Sequence, residues 1–148
     1  MSAAPSFEPI VFVDLETTGA NFANDRIIEV GIVELDENGA REWSVLVNPE
    51  TEISPFITGL TGIDSTMVAT APTFEQLAPQ VLDKLRGCLF VAHNARFDYS
   101  FLKREFKRLG INFRAPTLCT VKLSRKLFPE HHRHNLDTLV ERYGLSVG

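Results

Sequence analysis

With 148 residues and a mass of 16.6 kDa, the chain has room for one domain and not two, and an apolar fraction of 44% with a charged fraction of 23% excludes wholesale disorder. No apolar run approaches the roughly 18 residues of a membrane span, residues 1–8 read as a flexible start without the pattern of a secretory leader, and Cys88 and Cys119 lack ligand-like spacing, as in a reduced intracellular protein. The net charge of −4 argues against a nucleic-acid partner only as an average, because residues 1–74 hold 12 acidic and 2 basic side chains whereas residues 75–148 hold 7 acidic and 13 basic. Such a split can gather cations in one place and a polyanion in another, although two separately solvated surfaces would give the same count.

In chain order, residues 9–16 (PIVFVDLE) predict a buried strand, rich in β-branched and aromatic residues with Pro9 at its edge. Residues 26–35 (RIIEVGIVEL) predict a second strand, and the turn Asp36-Glu37-Asn38-Gly39 leads into a third at 41–47 as a hairpin. Residues 48–72 carry Pro49, Pro55, Gly59, Gly62 and Pro72 and read as loop, with one short helix near 55–58. Thr73 with Gln76 forms a capping-box pattern for a helix reaching about residue 86. Residues 88–93 predict a short apolar strand. The stretch 97–109 predicts an amphipathic helix with Phe97, Phe101, Leu102, Phe106 and Leu109 on one face and Lys103, Arg104, Lys107 and Arg108 on the other. Two more helices are predicted at 121–128 and 135–143, the second capped by Asn135 and stopped at Gly144. A meander followed by alternating helix and strand defines an α/β domain with a mixed sheet.

Two short strings carry chemistry. In Asp14-Leu15-Glu16-Thr17-Thr18-Gly19, strand alternation places the Asp14 and Glu16 carboxylates on one face, at the carboxyl end of a buried strand. Two carboxylates so placed repel unless a cation or proton lies between them, and oxygen ligands of this kind suit Mg²⁺ or Mn²⁺. Alone, an Asp-x-Glu is more often a solvated strand end. The second string, His93-Asn94-Ala95-Arg96-Phe97-Asp98, follows an apolar strand and opens a helix. It sets Asp98 in the first turn, where it can face the end of the first strand if the two strands are neighbours. The blander role for Asp98 is a helix-start residue stabilised by the macrodipole.

FVDLETTG at 12–19, the hairpin after it, LTGI at 60–63, HNARFD at 93–98 and HNLDTL at 134–139 occur in that order. This series resembles the DEDDh, or DnaQ-like, 3′–5′ exonucleases, a family that includes the proofreading subunits of bacterial DNA polymerases. The resemblance covers nearly the whole chain. It implies a ribonuclease H-like mixed five-stranded sheet flanked by helices, and hydrolysis with two divalent cations, Mg²⁺ or Mn²⁺. Asp14, Glu16 and Asp98 would be the catalytic metal ligands. The backbone of Leu15 and Thr17 and the side chains of Thr18, Thr61, Asn94 and Phe97 would hold the terminal nucleotide, Phe97 against a base; a core position is the competing role for Phe97. The implied substrate is the 3′ end of single-stranded DNA, with RNA turnover or a catalytically silent strand-binding module as alternatives. The implied partner is a DNA polymerase subunit or a further domain. Lys103, Arg104, Lys107, Arg108, Lys122, Arg125 and Lys126 would then be placed to meet phosphates.

The same family carries a final His-x-x-x-x-Asp on a later helix, the His acting as general base and the Asp as fourth carboxylate. The given sequence ends at Gly148 before such a helix is expected, so the 148 residues alone are expected to be strongly impaired in catalysis. His132 and Asp137 share the spacing, but Asp137 belongs to the HNLD segment, which matches an earlier helix. The His131, His132 and His134 cluster could suggest zinc, but it reads as an exposed loop.

Overall fold

The computed structural model describes residues 9–120. The helices expected at 121–128 and 135–143, the HNLDTL segment, Lys122, Arg125, Lys126, the three clustered histidines and Asp137 lie outside the described residues, as do residues 1–8.

Alternation decides the first strand. In β1 (Ile10–Thr17), Val11, Val13, Leu15 and Thr17 are buried, while Phe12, Asp14 and Glu16 point to the other face. β2 (Ile27–Asp36) pairs antiparallel with β1, and β3 (Gly39–Leu46) pairs antiparallel with β2. Glu37 and Asn38 close that hairpin, because Asp36 already pairs with Gly39. The Asp36 carboxylate accepts from the Asn38 N–H at 2.9 Å, and Gly39 takes a φ of 113°, which an L side chain would resist.

Residues 48–72 hold more helix than the loop reading expected. α1 (Pro55–Thr61) and α2 (Ser65–Val68) are each opened by a side-chain cap, Ser54 on the Ile57 N–H and Asp64 on the Met67 N–H. α1 is the short helix expected near 55–58, carried on to Thr61, whereas α2 has only four residues, too few for periodicity to announce it. Ile53, Ile63 and Val68 close over Ile28, forming a small second core. A register shift beside Glu16 and Thr17 lets Ile27 and Ile28 both be buried, Ile27 in the main core and Ile28 in the second.

α3 (Phe74–Leu85) starts on the predicted Thr73–Gln76 capping box, with both reciprocal bonds formed at 3.0 and 3.3 Å. β4 (Leu89–Ala92) pairs parallel with β1, and α4 (Ala95–Arg108) follows after two residues. β5 (Thr117–Cys119) pairs parallel with β4. The reading of the residues did not find β5; three residues, two of them exposed, carry too little periodicity to announce a strand. The sheet order is β3-β2-β1-β4-β5, the mixed five-stranded arrangement that the resemblance implied. Phe74, Phe90, Phe101 and Phe106 fill the layer between sheet and helices, each almost fully buried. Truncating any one to Ala removes a share of that layer worth about 3–5 kcal/mol.

Candidate active site

The parallel pairing of β1 with β4 sets the site. Ile10, Val11 and Phe12 lie beside Leu89, Phe90 and Val91, so both strands run toward the same end of the sheet. β1 goes on to Asp14 and Glu16, while β4 ends and turns into α4. Asn94 caps that helix with its backbone, its carbonyl accepting from the Phe97 and Asp98 N–H groups at 3.0 and 3.1 Å. The Asn94 side chain makes no cap hydrogen bond and is exposed. Asp98 therefore falls in the first turn, facing back onto β1 as its position in the sequence requires.

Asp98 is 6% exposed, and its carboxylate accepts a hydrogen bond from the Leu15 backbone. Burial, then the Asp14 charge, push its pKa up to about 7, with Glu16 adding to the rise and the Leu15 bond opposing it. Glu16 is also raised, first by desolvation and then by Asp14 and Glu29. Asp14 is exposed along one side, yet loss of solvation raises its carboxyl too. Each carboxylate thus feels the others.

Sequence reasoning missed Glu29. It sits directly across from Glu16 in the β1–β2 pairing, and desolvation and Asp14 raise its pKa. Alternation in β2 could have placed it on one face, but only the register shows that this face is the one bearing Asp14 and Glu16. Among the described residues no group of three or more His, Cys, Asp or Glu side chains is gathered closely enough to hold a metal ion. The donor set is nonetheless all carboxylate oxygen and crowded with like charge, which fits a hard divalent cation and no soft metal.

The expected nucleotide contacts separate into two groups. The Leu15 N–H is spent on Asp98. The Thr18 hydroxyl donates to Asp25 Oδ1 at 3.0 Å and accepts from the Arg26 N–H at 2.9 Å, so its donor is used inside the loop. The Thr17 hydroxyl donates to the Gly19 carbonyl at 2.6 Å. Thr61 closes α1, donating to the Ile57 carbonyl and accepting from the Ile63 N–H. Phe97 is half-buried, 4.8 Å from Phe101 and 5.9 Å from Phe22 between ring centroids. Of the basic face of α4, Lys103, Arg104 and Lys107 are exposed, whereas the Arg108 guanidinium is committed to Glu105 and to the Ala23 carbonyl.

A strand-borne carboxylate pair and a helix-borne third thus share one end of a mixed sheet. The family model described as exonuclease, RNase T type, matches residues 11–147, and the chain belongs to that family. It is 44% identical over 141 residues to a PolC-type DNA polymerase III of Caldanaerobacter subterraneus subsp. tengcongensis, covering 95% of this chain and 10% of that protein. It is 38% identical over 135 residues to the 3′-5′ exonuclease DinG of Staphylococcus saprophyticus, covering 90% of this chain and 15% of that one. The chain thus spans only a small part of the length of these curated relatives. Among solved structures it resembles exonuclease X in complex with 5′ overhanging duplex DNA, at 27% identity and a TM-score of 0.70, covering 93% of this chain and 75% of that one. E. coli exonuclease I in complex with a dA16 oligonucleotide shares the fold at a TM-score of 0.82 and 16% identity, over 95% of this chain and 37% of that one. The ribonuclease H-like sheet and the exonuclease class are therefore those expected from the sequence.

Proposed function

We propose that the domain removes nucleoside monophosphates from the 3′ end of single-stranded DNA, with Asp14, Glu16 and Asp98 holding two divalent cations, Mg²⁺ or Mn²⁺. The observation that carries this reading is the convergence of Asp98, buried at the start of α4, on the Asp14–Glu16 face of β1. The relatives named for DNA polymerase and 3′-5′ exonuclease activity, and the exonuclease X structure bound to duplex DNA, support DNA over RNA as substrate. Among the described residues no helix is long and apolar enough to cross a membrane, and an intracellular setting accords with these relatives.

When bound, the cations would supply Lewis-acid stabilisation of the attacking water and of the leaving 3′-oxygen. The chain's own residues prepare the site for them. The Leu15 N–H fixes the Asp98 carboxylate toward β1, and the crowding of like charge makes the site unfavourable unless protons or cations occupy it. Phe97, at the edge of the same helix turn, offers a ring face to a terminal base without regard to sequence. Asn94 keeps a free side-chain amide beside it. The relatives of which this domain is a small part support a setting in which it works with further polypeptide, a polymerase subunit or another domain, on the same DNA end.

The test is degradation of a 5′-labelled single-stranded oligodeoxynucleotide by the full-length protein, read as a ladder shortening from the 3′ end. A matched RNA strand is run beside it. Asp14→Ala is expected to lower the Mn²⁺-stimulated rate by at least about 100-fold. Undiminished activity in that variant would remove Asp14 from the site. Binding without product, indifferent to Mn²⁺, would mark a silent module.

A further inference from the structure

Glu105 is a buried charge that the chemistry above does not use. It lies on α4 two turns beyond Asp98 and is 2% exposed. Its carboxylate accepts from two arginines. Arg26 donates through Nε to Oε1 at 2.8 Å and through Nη2 to Oε2 at 3.0 Å, a bidentate fork, and Arg108 donates through Nη1 to Oε1. Arg108 also donates through Nη2 to the Ala23 carbonyl at 2.9 Å. Both arginines are about three-quarters buried along their side chains, 26% and 28% exposed.

What these bonds hold is the segment that joins β1 to β2. Arg26 is tied back to Thr18 twice, its N–H donating to Thr18 Oγ1 at 2.9 Å and its carbonyl accepting from the Thr18 N–H at 2.8 Å. Asp25 accepts from Thr18 Oγ1 and from the Asn21 N–H. Phe22 rests on Phe101 and Phe97, with centroids 4.9 and 5.9 Å away. The segment from Thr17 to Arg26 is thus fastened to α4 at one aromatic and one ionic point. Its near end is the turn that follows the metal-binding carboxylates, and its ring contact is with Phe97.

Resting on the function proposed above, we propose that Glu105 is a positioning residue. Through Arg26 and Arg108 it clamps the Thr17–Arg26 segment against α4, so that this segment and Phe97 form a fixed cleft for the terminal nucleotide. The clamp touches neither substrate nor carboxylate cluster. It acts on how well the strand end is held, and a 1 Å error in such holding is costly to rate.

The test uses the full-length protein and a 5′-labelled single-stranded oligodeoxynucleotide. Glu105→Gln is expected to lower kcat/KM about 10- to 100-fold, mainly through KM, while Mn²⁺ affinity measured by calorimetry stays at the wild-type value. Arg108→Gln spares the Arg26 fork and is expected to shift KM the same way by less. A role in stability alone would lower the melting temperature of both variants but leave KM unchanged well below it. A folded Glu105→Gln protein with wild-type KM, or one that loses Mn²⁺ affinity instead, overturns the proposal. Should Glu105→Gln fail to fold, Arg108→Gln decides: a raised KM upholds the clamp, and a wild-type KM overturns it. An inactive wild-type protein would refute the exonuclease reading rather than the clamp.

Discussion

Asp98 is the most enclosed of the site carboxylates and the one whose pKa moves furthest, to about 7 from 3.8. A carboxyl raised on folding binds its proton in the folded state over a pH range where the unfolded chain has released it. Between about pH 4 and 7 the metal-free protein therefore loses stability as pH rises. Asp14, Glu16 and Glu29 are displaced in the same direction and add to that slope. Thermal melts in chelator should give a lower midpoint at pH 8 than at pH 5.5. Asp98→Asn should flatten the difference, and Mn²⁺ should restore the midpoint at pH 8, because cations replace the protons that like charges demand. A melting temperature independent of pH in chelator would contradict the crowding. The two expected carboxylates and the third were readable because side-chain alternation and helix starts are local properties. Glu29 was not, because its place opposite Glu16 depends on a register that no single strand declares.

At the scale of elements, the turn after β1 depends on one glycine. A Cβ on Gly19 would stand 2.4 Å from Asp25 Oδ2 and 2.8 Å from its Cγ. Asp25 cannot swing aside without releasing Thr18 Oγ1 and the Asn21 N–H. Gly19→Ala is expected to cost about 1–3 kcal/mol in urea denaturation and to raise KM for the oligonucleotide; a wild-type midpoint would show that the turn can yield. The elements themselves were largely legible. β1, β2, β3, β4, α3 and α4 appear within one to two residues of their predicted bounds because each has a clear period or cap. α1 was read only as a short helix near 55–58, and α2 and β5 were not read from the residues, being too short for periodicity to speak. The buried Glu105 was hidden for another reason. On a helix whose neighbours are Lys103, Arg104, Lys107 and Arg108, an acid looks like one more solvated charge, and its partner Arg26 stands 79 residues away in sequence.

For the whole molecule, the division of charge noted in the sequence becomes spatial. The acidic cluster lies at the carboxyl ends of β1 and β4. Lys103, Lys107 and Arg114 line surface depressions of about 490 and 360 Å³ beside α4. A strand entering the site and continuing along α4 would pass them. Oligonucleotide affinity, measured in chelator, should fall linearly on a log–log scale with salt. Changing both Lys103 and Lys107 to Gln should reduce that slope by about 1.4 for a long single strand and leave a dinucleotide unaffected. An unchanged slope would mean that the strand leaves the site by another path.

The parallel pairing of β1 with β4 also bears on how the site comes into being. The β1–β2–β3 meander is built from near neighbours in sequence, and nothing in it needs the later chain. Asp98 reaches Asp14 only after the long crossover through α1, α2 and α3 has closed. Such non-local closure is the slow, entropically expensive part of folding an α/β sheet. The β1–β2 pair already brings Glu16 and Glu29 together beside Asp14, and what the crossover adds is the buried Asp98. The complete set of carboxylates is thus a property of the closed sheet, present only once β4 lies beside β1.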